Sequence, residues 1–105
     1  MRSSDNAGAS ASKADIVNAE VTDLTRRIVL MERMIADFDR MAADLDQGIR
    51  IEEDRVKIRD PAYSAYSTYA RATALRRDNL RRSADVLRAQ LANAKKALLA
   101  LGEAN

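Results

Sequence analysis

The chain has no cysteine, no histidine and no tryptophan among its 105 residues. Without cysteine there is no disulfide frame, no thiolate zinc site and no thiol nucleophile. Without histidine the commonest general acid–base group and metal ligand is missing. Glycine occurs only at Gly8, Gly48 and Gly102, too scattered for a phosphate-cradling loop. The longest apolar runs are Ile28-Val29-Leu30-Met31 and Ala97 to Leu101, far short of the ~20 residues that span a bilayer. Arg2 is followed by no apolar h-region, so a secretory signal is not expected. These absences point to a cytoplasmic protein with no cofactor, no metal and no catalytic activity, reaching the inner membrane only through partners.

Aromatics make up 4% of the chain and Pro61 is the single proline. What remains is mostly Ala, Leu, Arg, Asp and Glu, with 32% charged and 47% hydrophobic residues. That composition reads as long helix or coiled coil, because it can line a seam between helices but not fill a round core. The net charge of +2 comes from 18 basic and 16 acidic residues, so the placement of charge matters more than its sum.

Residues 1–13 carry no periodicity and too little apolar surface to offset the entropy of ordering, so a disordered segment is expected there. A first helix is expected over about 14–57, with Ser12 or Asp15 able to cap it. Val21, Ile28, Ile35, Ala42, Ile49 and Val56 recur every seven residues, and Val17, Leu24, Met31, Phe38 and Leu45 form a second such series. Together they are the a and d positions of a heptad. Met34 and Met41 widen the stripe, while Gly48 and Glu52 weaken it towards one end.

Asp60-Pro61 breaks the pattern, because proline lacks an N–H and restricts the residue before it. A second helix can start at Pro61, or later with Ser64 or Ser67 as its cap; a loop over 58–67 is the favoured reading. The second helix, about 68–102, carries Thr73, Leu80, Leu87, Ala94 and Leu101 in one series and Ala70, Arg77, Ala84, Leu91 and Leu98 in the other. It is expected to fray after Leu101-Gly102. The fold class is therefore all-α, an antiparallel two-helix coiled-coil hairpin occupying 14–105.

Folding the chain near residue 62 pairs Leu45 with Leu80, Phe38 with Leu87, Met31 with Ala94 and Leu24 with Leu101. The same fold pairs Ala42 with Ala84, Ile35 with Leu91 and Ile28 with Leu98. One register satisfies every pair, although a slip of seven residues would match too. Acidic residues between Asp37 and Asp54 face Arg71, Arg76, Arg77, Arg81, Arg82 and Arg88, which favours antiparallel pairing. Arms of about 35–40 residues give a rod of roughly 55–60 Å.

Each candidate site has a plainer reading beside it. The run Arg76-Arg77-Asp78-Asn79-Leu80-Arg81-Arg82 can be a solvated or salt-bridged face, a protein-docking face or a phosphate-binding patch, in that order. Carboxylates lie opposite it and no aromatic residue interleaves it, so nucleic acid is not the expected partner. Tyr63, Tyr66 and Tyr69 either plug the end of the seam or form a docking tip. Met31, Met34 and Met41 read first as core, and second as an adaptable groove. Carboxylate pairs such as Glu52 and Glu53 have no pocket around them in a rod.

Three stretches carry a resemblance. They are Met34-Ile35-Ala36-Asp37-Phe38 to Leu45, then Asp60-Pro61-Ala62 with Tyr66, Thr68, Tyr69 and Ala70, and then Arg76-Arg77-Asp78-Asn79-Leu80-Arg81-Arg82-Ser83-Ala84-Asp85. Over about Val21 to Leu98 the chain resembles the FliJ flagellar export proteins of alphaproteobacteria. The resemblance implies an antiparallel coiled coil similar to the hairpin of the rotary ATPase γ subunit. It further implies a non-enzymatic adaptor of the flagellar type III export apparatus, contacting the export ATPase FliI, the export-gate protein FlhA and export chaperones. Partner contact is expected at Tyr66, Tyr69, Arg76, Arg77, Arg81 and Arg82. The alternative is a coiled-coil scaffold that self-associates into a four-helix bundle.

Overall fold

The computed structural model describes residues 12–104 as two long helices joined by a loop. Helix α1 runs over Lys13–Val56 and α2 over Thr68–Ala104. They pack side by side as an all-α hairpin about 67 Å long, in keeping with 44 residues of α1 at ~1.5 Å rise each. The segment expected to be disordered lies outside the described residues, apart from Ser12 and Lys13. Ser12 caps α1, its side chain accepting from the Asp15 N–H at 3.1 Å.

All the positions assigned to the heptad seam are buried or half-buried, from Val17 and Val21 in α1 to Leu98 and Leu101 in α2. The most deeply buried are small: Ala42, Ala70, Ala84 and Ala94, together with Thr73. Ala42 and Ala84, expected to face each other, are 2% and 0% exposed. Larger seam residues such as Phe38, Leu80 and Leu87 stay half-buried, because one neighbouring helix cannot surround them.

Three cross-helix ion pairs discriminate between the two registers. Lys95 meets Glu32 at 3.6 Å, Arg77 meets Asp46 at 2.7 Å, and Arg88 meets Asp39. All three fit the register that sets Leu45 near Leu80. A seven-residue slip would move each partner ~10 Å along the rod and pair Asp39 with Lys95 and Asp46 with Arg88 instead, so the observed pairs identify the register.

The loop is built by local polar bonds. Lys57 ends α1 in the left-handed conformation, φ 64° and ψ 21°, and its N–H donates to the Glu53 carbonyl at 2.8 Å. Asp60 does not start α2. Its side chain accepts from the Ala62 N–H at 2.9 Å and its carbonyl from the Tyr63 N–H at 3.1 Å, which makes a turn across Pro61. The cap of α2 is Ser67, whose Oγ accepts from the Ala70 N–H at 3.1 Å.

At its far end α2 continues through Gly102 to Ala104, two residues past the end expected at Leu101-Gly102. Leu101 is still half-buried there, so packing outweighs the ~1 kcal/mol that glycine costs a helix.

Gly48 sits inside α1, and a Cβ built on it meets nothing within 4 Å. Gly48→Ala is expected to stabilise the hairpin by about 1 kcal/mol, because alanine loses less entropy in a helix. Thermal unfolding followed by circular dichroism would show a higher midpoint; a lower one would mean that the seam needs the open space.

Candidate functional site

The rod offers three features from which a site can be built: a tip and two long edges. At the tip, Tyr66 is 6% exposed and packs with Ile49 and Ala70. Its hydroxyl donates to Glu53 Oε2 at 2.7 Å, and the Arg71 guanidinium lies 5.3 Å from its ring centre. Next to it the Ser67 hydroxyl donates to Glu52 Oε2 at 2.6 Å. Glu52 and Glu53 therefore clasp the start of α2 to the end of α1. The expected weakening of the seam at Glu52 is a change of chemistry, from apolar packing to hydrogen bonds. Tyr63 and Tyr69, by contrast, are 64% and 60% exposed.

The clasp perturbs its own groups. Glu52 is held below the ordinary carboxylate range by hydrogen bonds from Arg55 first and Ser67 second. Tyr66 is pushed up, first by its bond to Glu53 and then by burial. It therefore stays a hydroxyl donor at neutral pH.

The two edges differ. With Ala42 at an a position and Leu45 at d, the e positions of α1 are Glu32, Asp39, Asp46 and Glu53. Those of α2, counted from Ala84 at a and Leu87 at d, include Arg81, Arg88 and Lys95. In an antiparallel pair the e positions of both helices share one edge. Here that edge is an acid–base ladder carrying the pairs of Glu32 with Lys95 and Asp39 with Arg88. Arg77, an a residue on α2, reaches from the seam to the same edge and binds Asp46. That bond, with Arg50 and Arg81 nearby, holds Asp46 below the usual carboxylate range against the opposing effect of burial. Arg77 is held charged by Asp46 first and Asp78 second.

The other edge, formed by the g positions with the c positions below them, has no such ladder. Met34 and Met41 of α1 face the g residues Ser83 and Gln90 of α2, and the gap between the helices stays open. A groove of about 510 Å³ is lined by Met34, Phe38, Val86 and Leu87, among others. Two more follow the same edge, one beside Met41 and Leu80, the other beside Leu24 and Ala97. Most exposed apolar side chains of the helices gather here: Ile16, Leu30, Met41, Ile51, Tyr69 and Val86 are all at c or g, against Val29 and Leu99 at b and Leu75 at f.

The residues expected to contact a partner therefore separate. Tyr66 and Arg77 point inward and hold the hairpin. Tyr69, Arg76, Arg81 and Arg82 are exposed, with Arg81 on the ladder edge, Tyr69 and Arg76 on the groove edge and Arg82 reaching into a groove. The a and d assignment alone does not reveal this division; assigning e and g letters as well would have exposed it. Among the described residues no cluster of three or more acidic, His or Cys side chains is placed to hold a metal ion. No helix there is long and apolar enough to cross a membrane. Comparison with known proteins finds no family, no curated protein and no solved structure that matches the chain.

Two predictions test this account of the tip and ladder. Arg77→Glu sets a carboxylate beside Asp46 and is expected to lower the unfolding midpoint, while Arg77→Leu combined with Asp46→Leu replaces both partners and should not, since an apolar substitute for an ion pair is often neutral or better. Equal losses from both would make the guanidinium's bonds indispensable. The second concerns acid. Asp46 and Glu52 have lowered values in the folded chain, so their stabilisation is present above the ordinary carboxylate values of about 4. It is lost as pH falls through the lowered values. Thermal unfolding between neutral pH and pH ~2 should show the midpoint falling on the acid side, and falling less for Asp46→Asn than for the unaltered chain.

Proposed function

We propose that the chain is a non-enzymatic docking rod of the flagellar type III export apparatus. In this reading it couples the export ATPase FliI to the gate protein FlhA and to export chaperones, in the cytoplasm and at the inner membrane only through those partners. The observation that carries the docking role is the groove edge: an unpaired apolar stripe with Leu30, Met41, Ile51 and Val86 exposed along a two-helix rod. Exposed apolar side chains bordering an apolar groove suit an interaction site. The flagellar assignment rests on the resemblance in residues 34–45, 60–70 and 76–85, and on nothing else.

The mechanism is mechanical and adhesive. A helix pair clasped at the tip and zipped along one edge resists bending and shear. Tyr63 and Tyr69 give the tip two exposed aromatic anchors, the residue type that supplies much of the binding energy at interfaces. Arg76, Arg81 and Arg82 supply positive charge that steers acidic partners.

The test is light scattering coupled to chromatography on the chain mixed with purified FliI, and separately with the cytoplasmic part of FlhA. Co-elution with either is expected, and Tyr63→Ala with Tyr69→Ala should weaken it while leaving helicity intact. A chain that joins neither partner overturns the flagellar assignment.

A further inference from the structure

The two edges differ in whether their charges are matched within the hairpin. On the ladder edge the carboxylates of Glu32, Asp39 and Asp46 each meet a cation of the other helix. On the groove edge Asp44 of α1 and Arg76 and Arg82 of α2 form no ion pair among the described residues. Asp37, also on this face, pairs only with Arg40 of its own helix and keeps its side chain 56% exposed. Over its tip-proximal half the groove thus has an acidic bank on α1, at Asp37 and Asp44, and a basic bank on α2, with an apolar floor between them; farther from the tip Arg27 and Arg33 make the α1 bank basic.

We propose that this face binds a second copy of the chain, the two hairpins being related by a twofold axis parallel to the rod. The choice of axis follows from the charges. A twofold parallel to the rod keeps every residue at its own height and lays α1 of one copy against α2 of the other. Asp44 then meets the Arg82 bank at nearly the same height, in the register that puts Leu45 opposite Leu80. Ile51 likewise comes level with Leu75, another exposed apolar residue. A twofold across the rod would lay α1 on α1 and α2 on α2, which sets the basic bank of α2, Arg76 and Arg82, against itself. Like charges in apposition disfavour that arrangement.

The area is adequate. The face from Ile16 to Ile51 covers ~50 Å of rod. At the ~20 Å breadth of two helices this is roughly 1,000 Å² per copy, above the ~800 Å² that a standard interface takes from each partner. The product is a four-helix bundle in which each helix has antiparallel neighbours. Both tips lie at one end, so their exposed Tyr63 and Tyr69 are presented twice.

The proposal gives the groove to a second copy and leaves the tips, with Tyr63 and Tyr69 exposed, to other partners; it does not depend on the flagellar reading, and its test uses the chain alone. Sedimentation velocity of the full chain over a range of concentrations should show a species of twice the chain mass. Asp37→Arg with Asp44→Arg should weaken the dimer at least about tenfold while circular dichroism shows unchanged helicity. Adding Arg76→Asp and Arg82→Asp to the same chain should restore it. If the reversed variant loses helicity, the neutral pair Asp37→Asn and Asp44→Asn takes its place, with the same weakening expected. Because the chain has no cysteine, Asp44→Cys and Arg82→Cys chains can be mixed and oxidised. A disulfide joining the two different chains supports the axis, and one joining Asp44→Cys chains only to each other overturns it. A monomer even at submillimolar concentration, or a dimer indifferent to charge reversal, overturns the proposal.

Discussion

A seam between only two helices covers small side chains most completely and, Met31 and Ile49 apart, leaves its larger ones partly in water, and the rest of this structure follows from that limit. Ala42, Ala70, Ala84 and Ala94 vanish into the contact, while Phe38, Leu80 and Leu87 keep part of their surface in water. Such a seam holds the helices together through its length but distinguishes poorly between registers, since every heptad looks much like the next. Register must come from elsewhere. The ladder edge repeats every seven residues too, so its ion pairs, individually worth ~0–1 kcal/mol, record the alignment, while the tip fixes it, where Tyr66 and Ser67 must reach Glu53 and Glu52. Arg77 adds to this from inside the seam. A charged residue at a core position costs stability and gains alignment, and Asp46 is where that alignment is read.

The tip solves a related problem with different chemistry. Apolar seam residues run out near Ile49, and the chain must reverse without leaving helix ends unsatisfied. Ser67 meets both needs with one oxygen, capping α2 and bonding to Glu52. Tyr66 fills the space behind it and reaches Glu53. The adjacent carboxylates that appeared in the sequence as a flaw in the stripe are the acceptors that close the hairpin. Since the carboxylate form accepts these bonds, the closure is linked to acid.

A rod zipped on one edge and open on the other has a direction around its axis as well as along it. The charged edge is satisfied internally and has little to gain from a partner. The open edge keeps apolar surface and unmatched charge, and burying both is what a partner can offer. This division gives the docking role its physical content, whichever macromolecule covers the groove. It also explains why the arginines of residues 76–82 do not act as one patch. Arg77 is consumed by the seam, Arg81 faces the ladder, and Arg76 and Arg82 border the groove.

The hairpin, its seam positions and the break at Asp60-Pro61 were legible from the sequence by itself, because heptad spacing and proline geometry are local properties that no distant contact overrides. The register, the cap of α2, the inward turn of Tyr66 and the left-handed Lys57 belong to the tertiary structure. Each depends on how the loop returns the chain, and several local solutions were open there: Asp60, Ser64 and Ser67 can all cap a helix, and only the position of Glu52 across the hairpin makes Ser67 the one that does. The unlike edges lie between these cases. Their residues are written in the e and g positions, but an edge exists only once two helices lie antiparallel and bring e beside e and g beside g.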